Sequence, residues 1–344
     1  MNILLTGGTG YIGSHIAVVL AEAGHDVILY DNFCNSQPEV LQQLKLITGK
    51  EIALVRGDVR DTALLISTLK AYHVDAVFHC AGLKAVGESV VKPIHYYANN
   101  VQGTISLLEA MQKVYGSQRV KNLIFSSSAT VYGDPIYLPI DEEHPLRATN
   151  PYGRTKIHIE EMLVDVVRVD SSWNIACLRY FNPVGAHESG LIGEAPNGVP
   201  NNLVPYMLQV AIGKFPQLNI FGNDYSTTDG TGVRDYIHVM DLAEGHLAAL
   251  NYLCVQHTGL CIFNLGTGRG YSVLDIVNAF EASINQRIPY KIMPRRIGDP
   301  PTCYANVDKS ASHLIWQAKR TMKDILESAW RWQSRHVTFK VEEI

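Results

Sequence analysis

The sequence predicts an α/β fold, a doubly wound parallel sheet followed by a smaller mixed α/β domain. Three observations carry this. A glycine loop, Gly7-Gly8-Thr9-Gly10-Tyr11-Ile12-Gly13, joins an apolar run to a helix-periodic one. Strand-like and helix-like runs then alternate as far as Ser126, and after Arg179-Tyr180-Phe181-Asn182-Pro183 the chain turns to Gly-, Pro- and Asn-rich loops with short elements.

Each element follows from its local pattern. Residues 2–6 are apolar and end in glycines, residues 11–23 carry helical periodicity, and Val27-Ile28-Leu29-Tyr30 is again strand-like, which makes a βαβ unit. The pattern recurs with a strand at 52–55 before Gly57-Asp58, a helix at 61–72, a strand at 76–79 before Ala81-Gly82, a helix around 99–114 and a strand at 123–126. Such alternation reads as a Rossmann-like sheet. Residues 1–182 are expected to form a nucleotide-binding domain and 183–344 a substrate domain, with segments near 236–264 able to return to the first.

The chain of 344 residues, 47% hydrophobic and 18% charged, is ample for a large core in one or two domains. A net charge of -4 and the lack of a long basic block argue against a nucleic-acid surface. Six cysteines are scattered without a C-x-x-C pair or metal-ligand spacing to histidine, so no metal is expected and a reducing compartment is. The first residues lack the basic start and apolar core of a signal peptide, and no uncharged apolar stretch approaches ~20 residues. The expected location is the cytoplasm, with no membrane partner.

Gly7, Gly10 and Gly13 stand between a strand and a helix, where backbone amides at Tyr11 and Ile12 can hold a pyrophosphate. The next strand ends in Tyr30-Asp31-Asn32. An acidic residue there binds both hydroxyls of an adenosine ribose and repels a 2′-phosphate, which favours NAD over NADP. Asp58-Val59 could reach the adenine, and Cys80-Ala81-Gly82-Leu83-Lys84 could run along the phosphates and nicotinamide ribose. Taken alone, those two segments also read as a turn aspartate and a tight glycine corner.

Tyr152 and Lys156 are four residues apart in Asn150-Pro151-Tyr152-Gly153-Arg154-Thr155-Lys156, so a helix puts both on one face and the ammonium can favour the phenolate. Bringing a phenol from ~10 to about 7 needs roughly 4 kcal/mol. One cation about 5 Å away supplies on the order of 3 kcal/mol at an effective dielectric near 20, so the lysine and an oxidised nicotinamide together suffice against some desolvation. With the glycine loop upstream, the pair describes an enzyme that moves a hydride.

With these motifs and Ser126-Ser127-Ser128-Ala129-Thr130-Val131-Tyr132-Gly133, the chain resembles the extended short-chain dehydrogenase/reductase superfamily. Ala81-Gly82-Leu83-Lys84-Ala85-Val86-Gly87-Glu88-Ser89, the run from Arg179 to His187, Pro200-Asn201-Asn202-Leu203 and Gly232-Val233-Arg234-Asp235-Tyr236 narrow this to the UDP-glucose (UDP-galactose) 4-epimerase family, over nearly the whole chain. The resemblance implies Ser128, Tyr152 and Lys156 as catalytic residues. It implies NAD contacts that add Asn35, Ser36, Asn99 and Phe181 to those above. For the UDP-sugar it implies Lys84, Ser128, Tyr152, Asn182, Asn202, Leu203, the uracil-holding Asn219, Ile220 and Phe221, then Arg234, Arg296, Asp299 and Cys303. It also implies a homodimer through the stretch 99–114 and the helix bearing Tyr152. The implied cycle passes through a transient 4-keto sugar and bound NADH, with no net redox change.

Related dehydratases carry an Asp-Glu pair where this chain has Ala129-Thr130, and UDP-glucuronate decarboxylases carry a glutamate in the same strand-end motif, again absent. They remain the enzymatic alternative. A catalytically silent NAD sensor is the alternative from another class, against which stand Ser128, Tyr152 and Lys156 together. Epimerases restricted to UDP-hexoses commonly have a tyrosine at the position aligned with Cys303; cysteine removes about six non-hydrogen atoms, whereas an acetamido group adds about three. Activity on UDP-N-acetylgalactosamine and UDP-N-acetylglucosamine is therefore expected, unless Tyr304 forms the wall instead. His238 and His246 are read as structural.

Overall fold

In the computed structural model, which describes residues 1–342 apart from 117, 118, 120, 196, 197, 258 and 297, a seven-stranded parallel sheet forms the first layer set. The chain enters through β1 (Asn2–Thr6), α1 (Tyr11–Glu22), β2 (Asp26–Asp31), α2 (Val40–Thr48), β3 (Ala53–Arg56), α3 (Thr62–Ala71) and β4 (Ala76–His79). Short helices α4 (Val86–Val91) and α5 (Pro93–Tyr96) run into a π turn at Tyr97–Val101 and then α6 (Gln102–Tyr115). β5 (Lys121–Ser128), α7 (Pro151–Val169) and β6 (Trp173–Tyr180) complete the second half. β1, β2, β4 and β6 are largely apolar and largely buried along their length, as a sheet covered on both faces requires.

The remaining elements are β7 (Asn182–Val184), α8 (Leu203–Ala211), β8 (Leu218–Phe221), β9 (Val233–Arg234), β10 (Tyr236–His238), α9 (Val239–Val255) and β11 (Leu260–Leu265), followed by β12 (Tyr271–Ser272), α10 (Val273–Ile284), β13 (Tyr290–Met293), β14 (Thr302–Cys303), α11 (Asp308–His313) and α12 (Met322–Glu342). β11 pairs with β6, and α9 packs on α1, so the chain returns to the large sheet after β10. Strand order is β11-β6-β5-β4-β1-β2-β3. The order reverses between β1 and β4, and ligands of such sheets bind at that crevice.

Two apolar layers cover the sheet. Residues of α1 and α9 pack one face, and those of α3, α6 and α7 the other. α8, α10 and α12 build a separate core around Leu218, Ile220 and Phe280. A small cluster, Val131, Tyr132, Ile140, Phe181, Cys303 and Ala305, joins the two bodies directly beside the strand ends. Among the described residues no helix is long and apolar enough to cross a membrane.

Candidate active site

The glycine loop closes on the neighbouring strand end. Gly7 has φ 69°, and a Cβ there would lie 2.7 Å from the Ala81 nitrogen; one on Gly13 would lie 2.2 Å from the Gly7 carbonyl oxygen. The loop after β1 and the 80–84 loop after β4 thus face each other across the switch point. α1 starts after Gly10 with no side-chain cap and no acidic residue in its first turn, which leaves its N-terminal amides to an anion. At the end of β2 the Asp31 carboxylate accepts from Thr9 N (3.1 Å), Phe33 N (2.9 Å) and Ser36 Oγ (3.3 Å). A carboxylate offers about four acceptor positions, so capacity remains for a ribose hydroxyl. Asn32 donates to Asp58 (3.1 Å), and the Arg60 guanidinium beside Asp58 holds its carboxyl well below the usual range. Asn35 is exposed, while Val59 turns its side chain into the core and presents only backbone.

The catalytic candidates meet at the ends of β5 and α7. Asn150 caps α7 by accepting from Gly153 N (2.9 Å), and Pro151 sits at the first helical position. Tyr152 and Lys156 follow on one buried face, 8% and 5% exposed. Ser128 accepts from Thr130 N (3.2 Å) and Thr130 Oγ1 (2.9 Å), which frees its own proton for the Tyr152 phenol. The Lys156 ammonium donates to Ser126 O (2.7 Å) and lies 4.8 Å from the Phe125 ring centre and 5.9 Å from that of Tyr152. Burial pushes the Tyr152 phenol up, opposed by the Ser128 hydrogen bond, and burial pushes Lys156 down to about 8. The Lys156 ammonium is thus directed at a backbone carbonyl, and burial of the phenol opposes its ionisation.

Across the crevice, the second body supplies cations and an aromatic ring. The Arg296 guanidinium lies 4.0 Å from the Phe221 ring centre, and Arg234 stands 3.8 Å from Asp299. β14 pairs with β9 so that Cys303 opposes Arg234. Cys303 belongs to the cluster with Phe181, whereas Tyr304 lies against Gly270 on the other side of the strand, 3.5 Å from where a Cβ would stand. Asn182 is exposed at the start of β7. Leu203 opens α8 after Asn202, whose amide donates to Glu194 (3.3 Å) instead of capping the helix. Ile220 points into the second core, so it can offer a base only its backbone, while Asn219 and Phe221 face the opposite side.

The NAD dependent epimerase/dehydratase family model matches residues 3–266. A UDP-glucose 4-epimerase of Bacillus subtilis is 53% identical over 337 residues, 98% of each chain. Among solved structures, a UDP-glucose 4-epimerase from Bifidobacterium longum in complex with NAD+ and UDP superposes with a TM-score of 0.93 at 49% identity, covering 98% of this chain and 99% of that one. One from Stenotrophomonas maltophila with bound NAD and formylated UDP-arabinopyranose gives 0.95 at 45% identity, with the same coverage. The chain belongs to the UDP-glucose 4-epimerase family.

The residues present fit the NAD of such an epimerase: a cradle that a single Cβ at Gly7 or Gly13 would fill, an uncapped helix N-terminus, and a strand-end carboxylate with an acceptor to spare. Among the described residues no cluster of three or more His, Cys, Asp or Glu could hold a metal ion. His238 accepts from Met240 N (3.0 Å) and meets Ser328 Oγ (3.0 Å), and His246 meets the Leu242 carbonyl (2.8 Å), so both rings serve α9.

Three residues in contact with the candidate site residues escaped sequence reasoning. Glu194 lies 2.9 Å from the Lys84 ammonium and accepts from Asn202, bridging two candidate ligand groups. Asn100, rather than the half-exposed Asn99, is the buried connector: it accepts from Leu83 N (2.8 Å) and donates to Leu83 O (3.0 Å) and Thr155 Oγ1 (3.2 Å). Consecutive asparagines inside a helical pattern were the available signal, since asparagine is a poor helix former. They coincide with the π turn, which the 99–114 helix expectation lacked. Thr130, discounted as an acid, orients Ser128.

Proposed function

We infer that this epimerase interconverts UDP-galactose and UDP-glucose, with NAD held by the glycine loop, Asp31 and the 80–84 segment. The observation that carries the reading is the meeting of Ser128, Tyr152 and Lys156 at the switch-point crevice. NAD, held there, would supply reversible hydride transfer at C4 of the sugar. Tyr152 takes the proton of the 4-hydroxyl and later gives it back, while Ser128 holds the reacting oxygen through its free proton. Lys156 keeps a positive charge buried against the strand end, where it favours anionic oxygen nearby.

Arg234 and Arg296 hold the diphosphate as guanidinium forks, and Phe221 with Asn219 holds the uracil. Remote binding of the nucleotide keeps the 4-keto sugar aboard while the loosely held ring turns over. Cys303 lines the sugar side beside Phe181, and its small side chain admits an acetamido group, so UDP-N-acetylgalactosamine and UDP-N-acetylglucosamine are substrates too. Two copies pair through α6 and α7, next to an exposed apolar strip of Val90, Val91 and Ile94; sedimentation of the purified protein at the mass of one chain would contradict this. The setting is the cytoplasm.

The test is NMR of UDP-galactose and, separately, UDP-N-acetylgalactosamine incubated with the purified protein and no added cofactor. Conversion of both to the gluco epimers is expected. Conversion of the first alone removes the permissive Cys303 pocket, and conversion of neither, even with NAD supplied, removes the epimerase reading.

A further inference from the structure

Arg179 and Glu160 form an ion pair sealed in the interior, with side chains 3% and 4% exposed. The fork is complete: Arg179 Nη2 donates to Glu160 Oε2 at 2.6 Å, and Nε lies 3.1 Å from both carboxylate oxygens. Neither residue belongs to the catalytic candidates, yet two neighbours of the pair, Ser127 and Lys156, adjoin or belong to them. Glu160 follows Lys156 by one helical turn on the buried face of α7. Ser127, next to Ser128 in the chain, donates to Glu160 Oε1 at 2.5 Å, and Ser127 is the cross-strand neighbour of Arg179. Arg179 Nη1 donates to Tyr132 Oη and to the Glu142 carbonyl, both at 3.1 Å, and Tyr132 passes the contact on to Asn264 of β11 (2.6 Å).

We propose that the Arg179–Glu160 pair, with Ser127, is a positioning device that sets α7, the helix bearing Tyr152 and Lys156, against the paired strands β6, through Arg179, and β5, through Ser127. The physical argument is one of direction. Ile159 and Leu163 of α7 also pack on Leu123 and Phe125 of β5, but apolar contact fixes neither the slide nor the rotation of a helix on a sheet. A bidentate fork does both, because its two parallel hydrogen bonds allow one register. Burial of two charges is a poor source of stability, and an apolar pair of similar volume is often as stable or more so. What the pair supplies is therefore the meeting of Ser128 with Tyr152, which depends on fractions of an ångström. The Glu160 carboxylate also favours the charged form of Lys156 against its burial.

The inference rests on the epimerase reading of Ser128, Tyr152 and Lys156, and its test separates the two. The full-length, NAD-bound protein carrying Glu160→Met and Arg179→Met together is compared with wild type by thermal unfolding and by steady-state turnover of UDP-galactose. The melting temperature is expected to stay within ~3 °C of wild type or to rise. KM is expected to hold within about two-fold while kcat falls roughly 10- to 100-fold, the effect of a small misplacement of reacting groups. A folded double variant with wild-type kcat overturns the positioning claim alone; no turnover in the wild-type protein overturns the epimerase reading and the claim with it. Should the double variant fail to fold, Ser127→Ala decides. It keeps the ion pair and removes only the tie to β5, so a several-fold loss of kcat at unchanged KM supports the device, and wild-type kcat overturns it.

Discussion

Burial pushes the Tyr152 phenol up and the Lys156 ammonium down to about 8. Positive charge brought into the crevice opposes the first effect and favours the phenolate, which ties base strength to cofactor occupancy. Replacing Tyr152 by Phe is expected to lower kcat by about 10²- to 10⁴-fold with KM near wild type, as measured by initial rates on UDP-galactose. Cys303→Tyr is expected to abolish turnover of the N-acetyl sugars and spare UDP-galactose, measured by initial rates on each; untouched N-acetyl turnover would remove Cys303 from the pocket wall. Tyr152 and Lys156 were legible because their spacing is local and a helix fixes their common face, whereas Ser128, at the end of β5, entered only through the family resemblance. Glu160, Asn100 and Glu194 were not legible, because each acquires meaning from a partner across the fold: Arg179, Leu83 with Thr155, and Lys84.

Helices act here through their ends. α1 offers its uncapped N-terminus to the switch-point crevice, and the approach depends on the missing Cβ atoms at Gly7 and Gly13. Gly13→Ala puts a methyl 2.2 Å from the Gly7 carbonyl oxygen, which forces the loop open. That variant is expected to purify without nucleotide, read from the ultraviolet absorbance of the acid-released cofactor; a full complement of NAD would refute the cradle. α7 instead needs its cap. Asn150→Ala leaves the Gly153 amide unpaired and is expected to cost about 1 kcal/mol in denaturant unfolding, with a drop in kcat because Tyr152 lies in that first turn. Helix and strand periodicity revealed most of the elements around the large sheet. The π turn stayed hidden because side-chain bonds from Asn100 to the 83 backbone, not periodicity, set it.

At the scale of the molecule, burial pushes His15, His79 and His238 down to about 3 and His246 to about 4. Their folded pKa values lie below the unfolded value near ~6.5, so the stability they permit is complete above about pH 6.5 and is lost as pH falls toward those values. At pH 5 each ring costs about 2 kcal/mol relative to neutral pH. The melting temperature is expected to fall by more than ~10 °C between pH 6.5 and 4.5; a flat profile in that window would contradict neutral burial. Two of these rings lie in contacts that join the bodies. His238 of β10 meets Ser328 of α12, and His15 of α1 follows Tyr11, whose hydroxyl donates to the Gly185 carbonyl (2.7 Å).

By itself the sequence determined the fold class, the glycine loop between β1 and α1, and the shared helical face of Tyr152 and Lys156, because a glycine spacing, a helical repeat and an apolar run encode short-range geometry that any context must respect. Tertiary structure alone decided which residues share the crevice. The reversal of strand order brings residue 7 against residue 81, β14 lands on β9 so that Cys303 rather than Tyr304 joins Phe181, and β11 returns beside β6 across eighty residues of chain. Those placements come from burying two faces of one sheet and the seam between two cores. Such burial sums over the whole molecule, so no local stretch records it.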